Sequence, residues 1–313
     1  MNRTTGAGGR TGAGAPSDVR APITAWPAVR RRVVALAAVP GRLLVVTDFD
    51  GTLARISLDP MAARIEPLAQ TALRRLARLA AARPPRLKVV VLSGRAVDDL
   101  AGRVRVGGVE YFGDHGLQAG SLARGAPAER VAAAVDPALA TLVAQADAHG
   151  RAVAAALGRP DWLFVEDKGP SVAFHFRAAP DPEAAGQLVA AAVEARLRED
   201  PDGGFERFDG RRIVELRPTG AGGKGTAVAS LLEDGAYAAA LVLGDDRSDA
   251  LAFAAVAEAT AAGRLQAGLA LAVHGSTETP PEIVERADLI LAGPHDAARA
   301  LSALAGALER ERL

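Results

Sequence analysis

The stretch LLVVTDFDGT, residues 43–52, limits the fold of this chain more tightly than any other. Leu43 to Val46 are apolar without alternation, as in a strand of a parallel sheet covered on both faces. The run stops at two carboxylates, Asp48 and Asp50, followed by Gly51 and Thr52. A strand continuing to Asp50 would turn both carboxylates to one side, because side chains alternate with a period of two. Ligands of open α/β sheets bind beyond the carboxyl ends of the strands, so both acids are expected at a ligand edge. Two nearby carboxylates repel unless a cation neutralises them or one keeps a proton. Taken alone, Asp50-Gly51 also fits an ordinary turn.

The flanking sequence extends this pattern. RLKVVVLSGR (86–95) and VEYFGDHG (109–116) read as two further strands. Between the first two strands, Leu68, Ala72, Leu76 and Leu79 recur at helical spacing with arginines between them. Such strand–helix alternation argues for a parallel sheet with helices on both faces. The grammar then changes. Residues 129–158 read as a long Ala-rich helical stretch, and DWLFVEDKGPSVAFHFR (161–177) as two strands pivoting on Lys168-Gly169-Pro170. A helix follows, then the strand GRRIVELRP (210–218). From about residue 219 the first grammar returns, ending in a helix with Ala297, Leu301, Leu304 and Leu308 in register. The fold expected is α/β: a Rossmann-like core with a parallel sheet, formed by residues 26–122 and 218–313, and an α+β domain inserted at 123–217. Residues 1–25, rich in Gly, Ala and Thr, are expected as a disordered tail.

Composition narrows the function. The 37 basic and 37 acidic side chains balance, so no global field draws the chain to nucleic acid or an anionic membrane. The absence of cysteine excludes disulfides and thiolate metal sites. No apolar run approaches the roughly 20 residues that span a bilayer, and the first residues lack the apolar segment of a secretory signal. A cytoplasmic location is expected.

Three further segments can carry chemistry. Ser93, Gly94 and Arg95 end the second strand with a small hydroxyl and exposed N–H groups, suited to a phosphate oxygen; taken alone, the stretch fits an N-cap serine better. Lys224 lies in GAGGKGTA, which is not a Walker A loop, because Pro218 and Gly225 stand where that motif needs Gly and Ser or Thr. LVLGDDRSDALAF (241–253) ends another apolar strand in Asp245 and Asp246, with Asp249 three residues on. Acids from two strand ends could hold Mg²⁺, a hard ion that prefers oxygen ligands. In the inserted region Glu166 and Lys168 share one side of a strand, as do Glu215 and Arg217, while Ser171, His175 and Arg177 alternate with Val172, Phe174 and Phe176. That polar face suits sugar hydroxyls and an anion, or simple solvation.

In order, these segments resemble the haloacid dehalogenase (HAD) superfamily of phosphohydrolases: DFDGTL its first motif, LSGR its second, Lys224 its third and GDDRSD its fourth. FGDHG, EDKGPSVAFHFR, VELRP, KGTA and GDDRSDALAF further resemble the trehalose-6-phosphate phosphatase family, over residues 43 to 295. The resemblance implies an Mg²⁺-dependent phosphatase that hydrolyses trehalose 6-phosphate to trehalose and phosphate in trehalose biosynthesis. It makes Asp48 the nucleophile and Asp50 the general acid and base. Mg²⁺ would be held by Asp48, the backbone carbonyl of Asp50 and Asp245, with Asp249 outside them. Thr52, Ser93 and Lys224 would cradle the phosphoryl oxygens. Arg95, His115, Glu166, Lys168, Ser171, His175, Glu215 and Arg217 would contact the substrate, most of them from a cap domain. The fourth motif departs from the family pattern at Ser248, Ala250 and Leu251. The alternatives are a HAD phosphatase for sucrose 6-phosphate or mannosyl-phosphoglycerate, a sugar phosphomutase, and a phosphosugar-binding protein without turnover. A small phosphosugar is the expected partner, and the sequence singles out no partner protein.

Overall fold

The computed structural model of the protein describes residues 22–57, 59–82, 86–201, 203–210, 212–274 and 279–311. Most of the expected tail lies outside the described residues. Thr24 is already docked, exchanging two hydrogen bonds with Ile290 at 2.8 and 3.0 Å.

The first strand, β1 (Arg42–Thr47), is followed by β2 (Leu87–Leu92), β3 (Glu110–Gly113), β4 (Gln118–Ser121) and β5 (Ala132–Val135). Next come β6 (Phe164–Asp167), β7 (Val172–His175), β8 (Phe205–Gly210) and β9 (Ile213–Pro218), and then β10 (Tyr237–Gly244), β11 (Ala267–Val273) and β12 (Leu289–Leu291). They form two sheets. The larger runs β12-β11-β10-β1-β2-β3-β4-β5, and the smaller β6-β7-β9-β8. From β12 to β3 the larger sheet is parallel, while β4 and β5 add antiparallel. The α/β core with an α+β unit between its halves is therefore present.

The unalternating runs are buried on both faces, as parallel strands require. Val45, Val89, Val91 and Leu241 pack with the helices Trp26–Ala37, Pro67–Ala80 and Pro294–Arg310 on one face. Leu44, Val46, Val90 and Val242 pack on the other with Lys224–Asp234 and Arg247–Ala261. Each helix presents the periodic residues read from the sequence; Ala297, Leu301, Leu304 and Leu308 are all buried. The smaller sheet has its own core, in which Phe174, Phe176, Val214 and Leu216 meet Val189 and Val193 of the helix Pro182–Glu199.

Two stretches differ from the reading of the sequence. Residues 129–158 are not one helix: Ala132–Val135 pair with β4 in the larger sheet, and the helix proper is Val143–Ala156. Alanine favours helix intrinsically, but the open edge of β4 supplies the hydrogen bonds that decide here. β8 was not legible at all. Its two phenylalanines are three apart, so neither period two nor period 3.6 stands out. The separate sheet thus begins at β6, whereas residue 123 marks the expected insertion.

Candidate active site

β10 and β2 flank β1 on opposite sides, so connections leave the middle strand both ways. This reversal leaves a crevice at the carboxyl ends, where α/β sheets bind ligands. β1 ends at Thr47, and Asp48 follows, 4% exposed, at the crevice floor. Lys224, the first residue of its helix and also buried, donates from Nζ to Asp48 Oδ1 at 2.7 Å and to Asp249 Oδ1 at 2.8 Å. Burial pushes Asp48 up to about 6 against the opposing pull of Lys224. Burial works against the Lys224 charge too, but Asp246, Asp249 and Asp48 outweigh it and hold the ammonium well above its ordinary range.

The motif GDDRSD divides its acids between two duties. Asp246 is the N-cap of the helix Arg247–Ala261 and accepts from the Asp249 N–H at 3.0 Å, while Asp249 Oδ2 accepts from the Asp246 N–H at 3.2 Å. That reciprocal pair is a capping box with Asp at the third position. Asp245 points instead to the crevice, where Thr52 Oγ1 donates to its Oδ1 at 3.4 Å. Two glycines make room. A Cβ on Gly51 would lie 1.9 Å from Asp245 Oδ2, and one on Gly244 would lie 2.2 Å from Asp249 Cβ. Gly51 also sits at φ +84°, in the left-handed region that other residues rarely occupy.

Asp48, Asp245 and Asp249 place one carboxylate oxygen each within 4.8 Å of one another. Asp48 Oδ2 is buried without a hydrogen-bond partner among the described residues. A cluster of carboxylate oxygens with one free lone-pair site fits a hard divalent cation. Asp249, hydrogen-bonded at both oxygens, suits a position outside the ion's direct contacts.

β1 ends at Thr47, before either acid, Phe49 between them is buried in the core, and Asp50 takes a different cation from Asp48. Its carboxylate faces Arg95, which donates from Nε to Oδ2 at 2.6 Å and from Nη2 to Oδ1 at 2.8 Å. Arg95 also bonds Asp99 at 2.7 Å. A guanidinium expected to touch substrate is thus forked onto the second aspartate. Ser93, buried just past β2, accepts from the Arg95 N–H at 3.3 Å, and its carbonyl accepts from the His115 N–H at 2.9 Å. One short loop thereby ties Asp50 to the turn after β3.

At that turn the two sheets meet. Asp114 and His115 both adopt positive φ, 48° and 57°. Asp114 Oδ1 accepts from Ser171 Oγ at 2.6 Å, and His115 Nε2 lies 3.3 Å from Glu215 Oε2. Glu215 also accepts from Lys168 Nζ at 2.6 Å and from Arg217 Nε at 2.8 Å. Burial pushes Glu215 up, but Lys168, His115 and Arg217 outweigh it and hold it well below the usual range. Burial pushes His115 down to about 4 despite Glu215. Burial raises Asp114 to about 6, with Lys168 and the Ser171 hydroxyl opposing. Gln118 fastens the junction, donating to the Lys168 carbonyl and accepting from the Val97 N–H at 3.0 Å.

Farther along the small sheet, His175 Nε2 pairs with Glu166 Oε2 at 2.7 Å. Burial raises Glu166, while His175, Lys168 and Arg95 together hold it below its ordinary range. Arg177 donates to the Ser57 carbonyl in the loop beyond Thr52. The fifteen candidate residues therefore fall into a few contacting groups. Asp99, Asp114 and Gln118 belong with them as partners. Asp114 lies inside the noted FGDHG segment, whereas no pattern marks Gln118.

A buried carboxylate beside a lysine at the switch point, with a small α+β sheet meeting the core across the crevice, defines a HAD-type core with a cap. A family model described as trehalose-phosphatase matches residues 46–279. The trehalose-phosphate phosphatase of Mycobacterium avium is 38% identical over 217 residues, covering 68% of this chain and 51% of that protein. That of Mycobacterium tuberculosis strain H37Rv is 33% identical over 214 residues, covering 67% and 50%. The chain belongs to the trehalose-phosphatase family. It spans about half the length of the curated relatives it matches. Among solved structures, the C-terminal domain of Candida albicans trehalose-6-phosphate phosphatase aligns with a TM-score of 0.67 at 21% identity, covering 93% of this chain and 99% of that one. The C-terminal domain of the C. albicans trehalose synthase regulatory protein aligns with 0.63 at 14% identity, covering 87% and 97%. Both likenesses concern the fold. Among the described residues, no helix is long and apolar enough to cross a membrane.

Proposed function

We propose that the protein is an Mg²⁺-dependent phosphatase that hydrolyses trehalose 6-phosphate to trehalose and phosphate through an aspartyl-phosphate, in the cytoplasm. The observation that carries this reading is Asp48: buried at the switch point, paired to Lys224 through one oxygen and unpartnered at the other. One carboxylate oxygen of Asp48 attacks phosphorus, and the sugar oxygen leaves with a proton from Asp50. Delivery requires Asp50 to turn from Arg95 toward the leaving oxygen. Asp50 then takes a proton from water, which attacks the acyl phosphate, releases phosphate and restores Asp48. Lys224, Thr52 and Ser93 face the charge on the transferred group, and such electrostatic positioning carries most phosphoryl-transfer catalysis. Asp48, the Asp50 carbonyl and Asp245 would hold Mg²⁺, with Asp249 bracing them; when bound, the ion neutralises phosphoryl oxygens. Residues 123–217 act as the cap, whose Glu166, Lys168, Ser171, His175, Glu215 and Arg217 read the sugar and exclude water with His115.

The test is phosphate release with Mg²⁺, and with EDTA, from trehalose 6-phosphate, sucrose 6-phosphate, glucose 6-phosphate and p-nitrophenyl phosphate. Strong preference for trehalose 6-phosphate, abolished by EDTA, is expected. Preference for another sugar overturns the cap assignment, and no release from any substrate overturns the enzyme.

A further inference from the structure

One face of the small sheet is turned to the core. Lys168, Ser171, Glu215 and Arg217 reach the Asp114–His115 turn from its β6–β7 and β9 ends, and Glu166, two residues before Lys168, lies in its middle. Side-chain parity puts Phe164 on this same face, because it is two residues from Glu166 on β6. The register sets it directly opposite His175 on β7. A second aromatic, Phe208, lies opposite Glu215 on this face and is covered by the Arg217 guanidinium at 4.6 Å. Phe164 is different: 53% exposed, it meets the His175 ring at 5.4 Å and a 38° tilt and keeps a broad apolar surface open. His175 in turn is fixed by Glu166 at 2.7 Å. The ring therefore stands on a braced support beside a carboxylate.

That combination suits a sugar, whose ring has an apolar C–H face and a rim of hydroxyls. Aromatic faces take the former and charged groups the latter. Lys168 and Glu215 sit at the turn that Ser93 and Arg95 tie to Asp50, and Glu166 is two residues beyond Lys168 along the strand, so the middle of the face corresponds to the sugar next to the phosphoryl group. Phe164 is two strand residues farther out, about 6.6 Å, roughly one sugar residue. Resting on the proposed phosphosugar activity, we infer that Phe164 is a specificity-determining platform for the sugar ring remote from the phosphate, steadied by His175.

The test compares Phe164→Ala and Phe164→Trp with the unaltered chain on trehalose 6-phosphate, glucose 6-phosphate and acetyl phosphate. In Phe164→Ala the kcat/KM ratio of trehalose 6-phosphate over acetyl phosphate falls about five- to tenfold, mainly through KM, the size of a lost aromatic contact. The ratio of glucose 6-phosphate over acetyl phosphate falls less than twofold, and Phe164→Trp restores the first ratio. Unchanged ratios, or an equal loss on all three substrates, overturn the inference. An unaltered protein that does not favour trehalose 6-phosphate over glucose 6-phosphate overturns the substrate reading itself, before any variant is made.

Discussion

Two buried ionic clusters face one crevice, and they are built on opposite principles. On the core, Asp48, Asp245 and Asp249 surround one cation, Lys224, and an oxygen of Asp48 goes without a partner. At the junction two carboxylates, Glu215 and Asp114, face two cations, Lys168 and Arg217; Glu215 is bonded at both oxygens, while Asp114 Oδ2 and His115 Nδ1 have no partner among the described residues. A buried charge without a partner is costly, so surplus carboxylate marks a place where something must bind. The junction, with as many cations as carboxylates, instead fixes orientation: it holds the small sheet against the core and aims His115 and Glu215 at each other.

The largest expected effect separates the clusters by chemistry. Asp48→Asn keeps the shape but removes the attacking oxygen, and phosphate release should fall by more than about 10⁴-fold, beyond the usual loss from an acid–base group. Circular dichroism should report a folded protein. Turnover near that of the unaltered chain would rule out Asp48 as the nucleophile.

The next effect separates them by charge. Lys224→Met and Glu215→Ala each break a buried pair, and each should lower stability by about 3–5 kcal/mol in urea titrations. Millimolar Mg²⁺ should recover much of the loss in Lys224→Met, where carboxylates remain, and none in Glu215→Ala, where cations remain. The same response to Mg²⁺ in both would erase the distinction.

The smallest is a pH dependence at Asp114. Its folded carboxyl is raised to about 6 from an ordinary value of 3.8, so the folded state binds the extra proton between these values. Stability from this group is complete below about 4 and is lost as pH rises through about 6. The groups facing it are Lys168, Ser171, Glu215 and Arg217. Asp114→Asn avoids the loss, so its stability relative to the unaltered chain should improve by on the order of 2–3 kcal/mol between pH 4 and 7.5. A gap that does not change with pH would show that folding leaves the Asp114 carboxyl at its ordinary value.

Much of the architecture was legible because buried parallel strands leave continuous apolar runs. LLVV, VVVL and ALVL each announce a strand that needs cover on both sides, and the intervening helices carry their periodic apolar faces. β5 and β8 were not legible, since AAAV and FERFDG become strands through their neighbours' open hydrogen bonds rather than through their own pattern. The site divided the same way. The acids at 48, 50, 245 and 249 stand out as groups ending strands or opening a helix. Which of them meets a cation did not stand out: Asp50 with Arg95, Asp48 with Lys224, and Gln118 with the Lys168 carbonyl are pairs made by folding.

By itself, then, the sequence determined the layered α/β core, the inserted sheet and the inventory of acids and bases at the strand ends, because hydrophobic period and turn chemistry act within a few residues. Only the tertiary structure decided the use of each group. Asp48 and Lys224 are 176 positions apart and Asp50 and Arg95 are 45 apart. Strand order brings each pair together, and burial then makes one missing partner matter.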